Sequence, residues 1–426
     1  MITRSVNEAY SGASAEDTVQ LPRSPSRFFD TLKQSLLALS FILGSLFAGS
    51  MFVTFSGSFS SAFWVLTLYP SILSVRGVVG GLFTGRLSTG LHLGTVRASL
   101  TNNTKDFYLL LHATVTLTLQ SSLMIGGMAS LLSVILWGTP PMETFRIFSA
   151  VVTAMCLSFL FISPVTLGVA AVAFRRGLDP DIVVYPVMST VADVVVTVCY
   201  LLSLELLFSF GYAGSFLAGL LDLVFVLIVF YIFLRYWKET EFASTLQEFF
   251  FTLVAVTFIV NLTGNVFGRI GQVIGSKREV FFVYPSVIST VGAVGSIVGS
   301  TATTRLALGT VQASFAAVKQ NLPEIGGACV SSAVLFVVYA GVSSYFVHEA
   351  LVVDALIVLV AVLLTLNLLA APLMSVVAYC VAVLTYRRGL NPDNFVIPLE
   401  SSLSDTVTTV CLLVVLGLYG TLGATI

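Results

Sequence analysis

The run Tyr185 to Cys199, YPVMSTVADVVVTVC, recurs as Ile397 to Cys411, IPLESSLSDTVTTVC, with Pro, Ser, Asp, Thr and Cys each 212 positions later. A duplication of this kind requires one unit to form twice and the two copies to meet across an axis. Each copy is an apolar run with a carboxylate near its middle, Asp193 or Asp405. On a helix, Ser189, Asp193 and Thr197 stand at i, i+4 and i+8 and form one polar stripe. Ser401, Asp405 and Thr409 form the matching one. A charge at bilayer depth costs about 2.5 to 3.5 kcal/mol on insertion scales and marks a functional site by default.

The remainder of the chain supplies the bilayer argument. Apolar stretches of about 20 residues, enough to cross a membrane, fall near 31–53, 59–85, 108–137, 145–174, 183–208, 214–236, 246–268, 281–304, 326–347, 351–385 and 395–420. With 57% hydrophobic residues, 10% charged residues and a mean hydropathy of +0.99, the 426-residue chain is far from a soluble domain. The expected fold is an all-α polytopic membrane protein in the cell membrane, with lipid and not nucleic acid around it. Residues 1–26 are polar, rich in Ser and Thr, and lack an apolar signal-peptide core, so they are expected to form a disordered cytoplasmic tail. The five cysteines sit in apolar runs without metal-ligand spacing.

Further repeats set the domain plan. Tyr69-Pro70-Ser71 recurs as Tyr284-Pro285-Ser286, and Gly94-Thr95-Val96 as Gly309-Thr310-Val311, both offset by 215. Arg175-Arg176-Gly177-Leu178-Asp179-Pro180-Asp181 recurs from Arg387 as RRGLNPD, offset by 212. The expected halves are residues 27–212 and 241–426, five spans each, joined by a linking transmembrane helix at 213–240. Five spans return the chain to the far side of the membrane, so one more crossing is needed to set the halves parallel. The result is a 5+1+5 arrangement of pseudo-two-fold-related repeats, expected to work as a pseudo-dimeric monomer. The positive-inside rule places both RRGL loops and the N-terminus in the cytoplasm and the C-terminus outside, against the objection of Arg269, Lys277 and Arg278.

The second span of each half carries small residues four apart: Gly77, Gly81 and Gly85, matched 215 later by Gly292, Ser296 and Ser300. Such faces allow close helix approach, and Pro70 and Pro285 each free a backbone carbonyl. The expected arrangement is a narrow path lined by Gly77, Gly81, Gly292 and Ser296, with Ser189, Thr197, Ser401 and Thr409 beside the carboxylates. Arg86 and Arg305 are not repeat equivalents and are expected at membrane boundaries. Two carboxylates brought together in low dielectric repel, and a divalent cation or a shared proton removes the penalty. Mg²⁺ keeps several waters and needs only one or two carboxylates, so Asp193 and Asp405 about 8 to 9 Å apart would grip a hydrated ion. Calcium needs more oxygens, and His92, His112 and His348 form no cluster for a softer metal. Glu400 lies about 140° round the helix from Asp405, a rim position.

These residues resemble a known family. Pro70-Ser71-Ile72-Leu73, Arg76-Gly77 and Arg86-Leu87-Ser88-Thr89 resemble the second-span signature of the MgtE and solute carrier family 41 magnesium transporters, PxLL, a KGN-like triplet and RLST. The Arg-Gly-Leu-Asp-Pro-Asp loop and the following Pro, Ser/Thr and Asp helix resemble its fifth-span signature. The resemblance implies two fused MgtE-type membrane domains, a cation path on the two-fold axis, and Asp193 and Asp405 as the metal-binding residues, with Mg²⁺ as cargo and no resident cofactor. The family's Asn after Gly is here Val78 and Ala293, and its RLST is Thr301-Ala302-Thr303-Thr304 in the second half. No domain comparable to the cytoplasmic sensor of bacterial MgtE is expected.

Two other readings compete. An intramembrane aspartyl protease would use the same two carboxylates as a catalytic dyad, but such enzymes resemble one another in a GxGD context, and here the flanks read Ala192-Asp193-Val194 and Ser404-Asp405-Thr406. The chain is therefore not expected to be an enzyme. A secondary transporter of another solute, coupled to Na⁺ or H⁺ through the same carboxylates, is the alternative.

Overall fold

The computed structural model describes residues 24–56, 62–99, 102–176, 180–274, 278–307, 311–348, 353–388 and 393–421. Residues 1–23 of the expected tail lie outside them, and a helix already begins at Ser24. Within a bilayer the backbone must satisfy its own hydrogen bonds, which leaves helices as the structure open to apolar runs of this length. Among the described residues there is no strand, and eleven helical segments are long and apolar enough to cross a membrane. Their bounds, from Arg27–Phe55 to Ser401–Gly420, follow the sequence expectation to within several residues except at Phe315–His348, which begins earlier.

The first span is broken: α1 (Ser24–Ser40) passes through a 3₁₀ turn (Phe41–Gly44) into α2 (Ser45–Ser56). There follow α3 (Trp64–Leu93), α4 (Lys105–Trp137), α5 (Pro141–Arg175), α6 (Pro180–Ser209) and α7 (Gly211–Tyr236). The second half contains α8 (Thr240–Ile274), α9 (Arg278–Ala307), α10 (Leu322–His348), α11 (Val353–Arg387) and α12 (Asp393–Thr421). Its first span, α8, is continuous. Pro70 and Pro285 sit inside α3 and α9, as the repeat requires. Gly94 ends α3 in the left-handed region at φ 73°, where a side chain would be strained.

The first spans lie between the halves: α1 and α2 pack along α10 and α9 of the second half and α2 also along α6 of the first, while α8 packs along α3 and α4 of the first half and along α12 of the second. Two glycines make the contacts across the halves possible. A Cβ at Gly49 would stand 1.8 Å from the Phe282 carbonyl oxygen, and one at Gly264 would stand 2.1 Å from that of Thr67. Gly49 and Gly264 are 215 apart, and so are Thr67 and Phe282, so the two close approaches are the same contact made twice. The obstacle in each is backbone, which cannot rotate away. Gly264→Ala is therefore expected to destabilise by about 1 to 3 kcal/mol or more, the usual cost of overpacking, and Gly49→Ala should do the same. A thermal melt in detergent checks this, with Gly80→Ala, where a Cβ meets nothing within 4 Å, as the silent control.

α7 packs against α4, α5 and α6. Much of its surface is apolar and exposed, with Phe216 75%, Tyr231 67% and Leu234 64% accessible, as suits a helix facing lipid. Its inward face carries Asp222, which accepts from Ser149 Oγ at 2.6 Å and Thr153 Oγ1 at 2.7 Å, both on α5. At the helix ends, Glu324 at the start of α10 accepts from Arg27 of α1 at 2.9 Å and from Arg305 near the end of α9 at 3.2 Å. Arg278 at the start of α9 reaches the Val53 carbonyl near the end of α2 at 3.5 Å. Arg86 and Arg305 lie just beyond the apolar segments Trp64–Thr84 and Arg278–Thr303.

Candidate functional site

Asp193 on α6 and Asp405 on α12 are both buried, at 1% and 8% exposure. Each carboxylate is reached from the opposite half. Ser74 of α3 donates to Oδ2 of Asp405 at 2.5 Å, and Ser289 of α9 donates to Oδ2 of Asp193 at 3.0 Å. The two serines are 215 apart, so the crossed bonds are repeat equivalents and tie the halves together at the carboxylates.

The support behind them is also duplicated. Thr197 Oγ1 donates to the Asp193 carbonyl at 2.7 Å and lies 2.9 Å from the Tyr69 hydroxyl. Thr409 Oγ1 donates to the Asp405 carbonyl at 2.6 Å and lies 2.9 Å from that of Tyr284. Each tyrosine is backed by a ring from its own half's first span, Phe52 at 3.8 Å and Phe267 at 4.0 Å between centroids. Thr197 and Thr409 thus fix the height and rotation of the acid-bearing helices. Both are fully buried.

Beside this framework lies a cavity of about 140 Å³, roomy enough for several waters. Of the residues expected on the path, Gly77, Gly81, Gly292, Ser296, Ser189, Ser401 and Asp405 line it. Asp193, Thr197 and Thr409 are not among its lining residues, and the Glu400 side chain lies outside the described residues. The glycines bring α3 and α9 close to α12: a Cβ at Gly77 would stand 2.4 Å from Ser401 Oγ, and one at Gly292 3.0 Å from Ser404 Oγ.

Symmetry ends at Arg76. Its Nη2 donates to Oδ1 of Asp193 at 2.6 Å and its Nη1 to the Ser189 carbonyl at 2.8 Å, so the guanidinium fork spans the gap from α3 to α6. Ser45, at the start of α2, adds a third donor to Asp193, at 2.7 Å to Oδ2. The repeat positions in the second half are Val291 and Val260, 215 residues on, and neither has anything to donate from its side chain. Asp193 thus receives Arg76, Ser45 and Ser289, whereas Asp405, which lines the cavity, is not paired with an arginine from the equivalent position.

Ser74, Ser289, Ser45 and the role of Arg76 were missed from sequence. For Ser74 and Ser289 a signal existed, since the repeated motif extends to Tyr-Pro-Ser-x-x-Ser at 69–74 and 284–289. Asp222 was missed too, although it is a carboxylate within an apolar run and falls under the same cost rule as Asp193.

Helices long and apolar enough to span a bilayer, two repeats tied together at their carboxylates and an internal cavity lined by Asp405 fit the class of membrane transporters. The MgtE model, described as divalent cation transporter, matches residues 69–203 and 284–415, one region in each half. The chain belongs to this divalent cation transporter family, with two MgtE regions fused in one polypeptide. No curated protein matches the chain in sequence at a significant level. Among solved structures, the crystal structure of a eukaryotic MATE transporter aligns with 94% of this chain and 97% of that chain at 15% identity, with a TM-score of 0.29, too slight a likeness to carry an argument.

Proposed function

We propose that this protein conducts a divalent cation, Mg²⁺ first, along a path between its two halves, with Asp405 and Asp193 as the carboxylates of the ion site. The observation that carries the reading is the placement of Asp405. It is a buried carboxylate, held by a serine of the other half, at the wall of a cavity with room for several waters that second and fifth spans of both halves line. Among the described residues no three His, Cys, Asp or Glu side chains come together. Such sparse ligation favours an ion that keeps most of its own water, as Mg²⁺ does. Ser189, Ser401 and Ser296 supply hydroxyls to that water.

The 5+1+5 plan belongs to the same proposal. Arg27 at the start of the first span meets Glu324 and Arg305, and Val53 at its end meets Arg278. Those contacts support halves that run the same way through the membrane, with one chain sufficient for a complete path; the basic RRGL loops are what support a cytoplasmic N-terminus and a C-terminus outside.

Isothermal titration of the purified chain with Mg²⁺ tests the reading. Binding is expected in the wild type and none in Asp193→Ala/Asp405→Ala. Wild-type protein without Mg²⁺-specific heat would refute it. A liposome flux assay with and without a Na⁺ gradient separates passive conduction from coupled exchange.

A further inference from the structure

We propose that Arg76 is a built-in counter-cation: it occupies the Asp193 half of the central site and competes with the transported cation for that carboxylate. The inference rests on reading the cavity as the cation path. Its observations are independent of that reading. Arg76 lines the cavity and at the same time holds Asp193 at 2.6 Å. It is a permanent charge, so proton loss cannot release the pair. It has no equivalent at Val291, so the pairing of second-span arginine with fifth-span aspartate is made in the first half and not repeated at the equivalent position of the second.

The surroundings give the guanidinium somewhere to go. Gly80 lies one turn beyond Arg76 on α3 and lines the same cavity, and a Cβ built on it meets nothing within 4 Å. Gly81 lies next to it and lines the cavity too. A long, unbranched side chain beside side-chain-free backbone can leave Asp193 and lie along α3. The carboxylate it leaves keeps the Ser45 and Ser289 hydroxyls, so it stays oriented. With Arg76 seated, an entering cation meets one carboxylate and a fixed positive charge. With Arg76 displaced, it meets two carboxylates. A divalent ion gains more from that exchange than a monovalent one, because its attraction to the second carboxylate is twice as large while the displaced charge is the same. Arg76 is in this account a selectivity residue, acting through the Asp193 pairing.

A purely structural ion pair predicts something else. Removing one member of a buried pair then costs stability and changes cation affinity little. The experiment compares wild type, Arg76→Gln, Arg76→Lys, Arg76→Gln/Asp193→Asn and Asp405→Asn as full chains in detergent. Mg²⁺ affinity is read by isothermal titration at constant ionic strength. Thermal unfolding with Mg²⁺ or with Na⁺ provides a second readout that tolerates a weakened fold.

Arg76→Gln is expected to bind Mg²⁺ at least tenfold more tightly than wild type and to show the larger Mg²⁺-dependent rise in Tm. Arg76→Lys should stay near wild type, and the double variant should lose the gain. Equal or weaker Mg²⁺ binding by Arg76→Gln, in a background where Asp405→Asn abolishes wild-type binding, overturns the proposal and leaves the cation path standing. A gain that persists in the double variant overturns it as well, because Asp193 would then not be the carboxylate released. No Mg²⁺ binding by any of these proteins removes the cation path itself and the proposal with it.

Discussion

Asp405→Asn is expected to reduce Mg²⁺ uptake into proteoliposomes by about a hundredfold or more. Unit charges about 4 Å apart at an effective dielectric of about 20 attract by about 4 kcal/mol, and each 1.4 kcal/mol is tenfold in affinity. Asn is isosteric and can still accept from Ser74, so α12 should remain in place. The loss is therefore one of charge at the cavity wall. Asp193→Asn should also abolish uptake, by a different route. It leaves the Arg76 guanidinium beside the cavity without its partner, and breaking a buried ion pair by removing one member costs about 3 to 5 kcal/mol. Thermal melts separate the two: Asp193→Asn should lose much more stability than Asp405→Asn, whose carboxylate is tied by the bond from Ser74. Near-wild-type uptake in Asp405→Asn, read with a fluorescent Mg²⁺ indicator, would sink the assignment.

Sequence carried the helices, the span count and the duplicated acids because each rests on a strong local signal. Apolar length fixes a span, and an offset of 212 or 215 fixes a pair. It carried the small-residue faces of the second spans for the same reason: Gly77 and Gly292 do sit against α12. What it could not carry was the packing of each first span against the other half. Gly49 and Gly264 are separated from their partner carbonyls by more than 190 residues in chain order, and a lone glycine in an apolar run has no period to announce it.

The symmetry that made the site visible also hid its asymmetry. Pairing Asp193 with Asp405 explains two buried charges by one ion, and a residue without a repeat partner looks irrelevant to a symmetric site. The rule that a buried charge finds a partner points the other way. Arg76 is a cation inside an apolar span of the half that holds Asp193, and the 2.6 Å pair is its outcome. Thr197 and Thr409 show the same limit on a smaller scale. Their place on the polar stripe was legible, but not their use, since a threonine hydroxyl on a helix readily turns to the carbonyl four residues back.

Deleting residues 213–240 is expected to abolish uptake completely, and the linking helix permits the sharpest test of the architecture. With eleven crossings the second half runs parallel to the first. With ten it inserts upside down, and the Arg27–Glu324 pair and the Gly49–Phe282 and Gly264–Thr67 approaches cannot form together. A protease-cleavable tag after Ile426 should then move from the outer to the inner side of right-side-out vesicles. Deletion also removes Asp222, leaving Ser149 and Thr153 without their acceptor, at about 1 to 3 kcal/mol for each buried group left unpaired. Parity and docking are therefore separated by a second protein in which 213–240 is replaced by an unrelated apolar helix of equal length without an acid. If the extra crossing serves orientation, that replacement regains uptake and the outer tag position, with a Tm lowered by the loss of Asp222. If it stays inactive with the tag outside, the linking helix does more than turn the second half over, and the contact from Asp222 to α5 is part of the working structure. Full uptake by the simple deletion would refute both accounts, since halves inserted in opposite senses cannot rebuild the crossed Ser74–Asp405 and Ser289–Asp193 bonds.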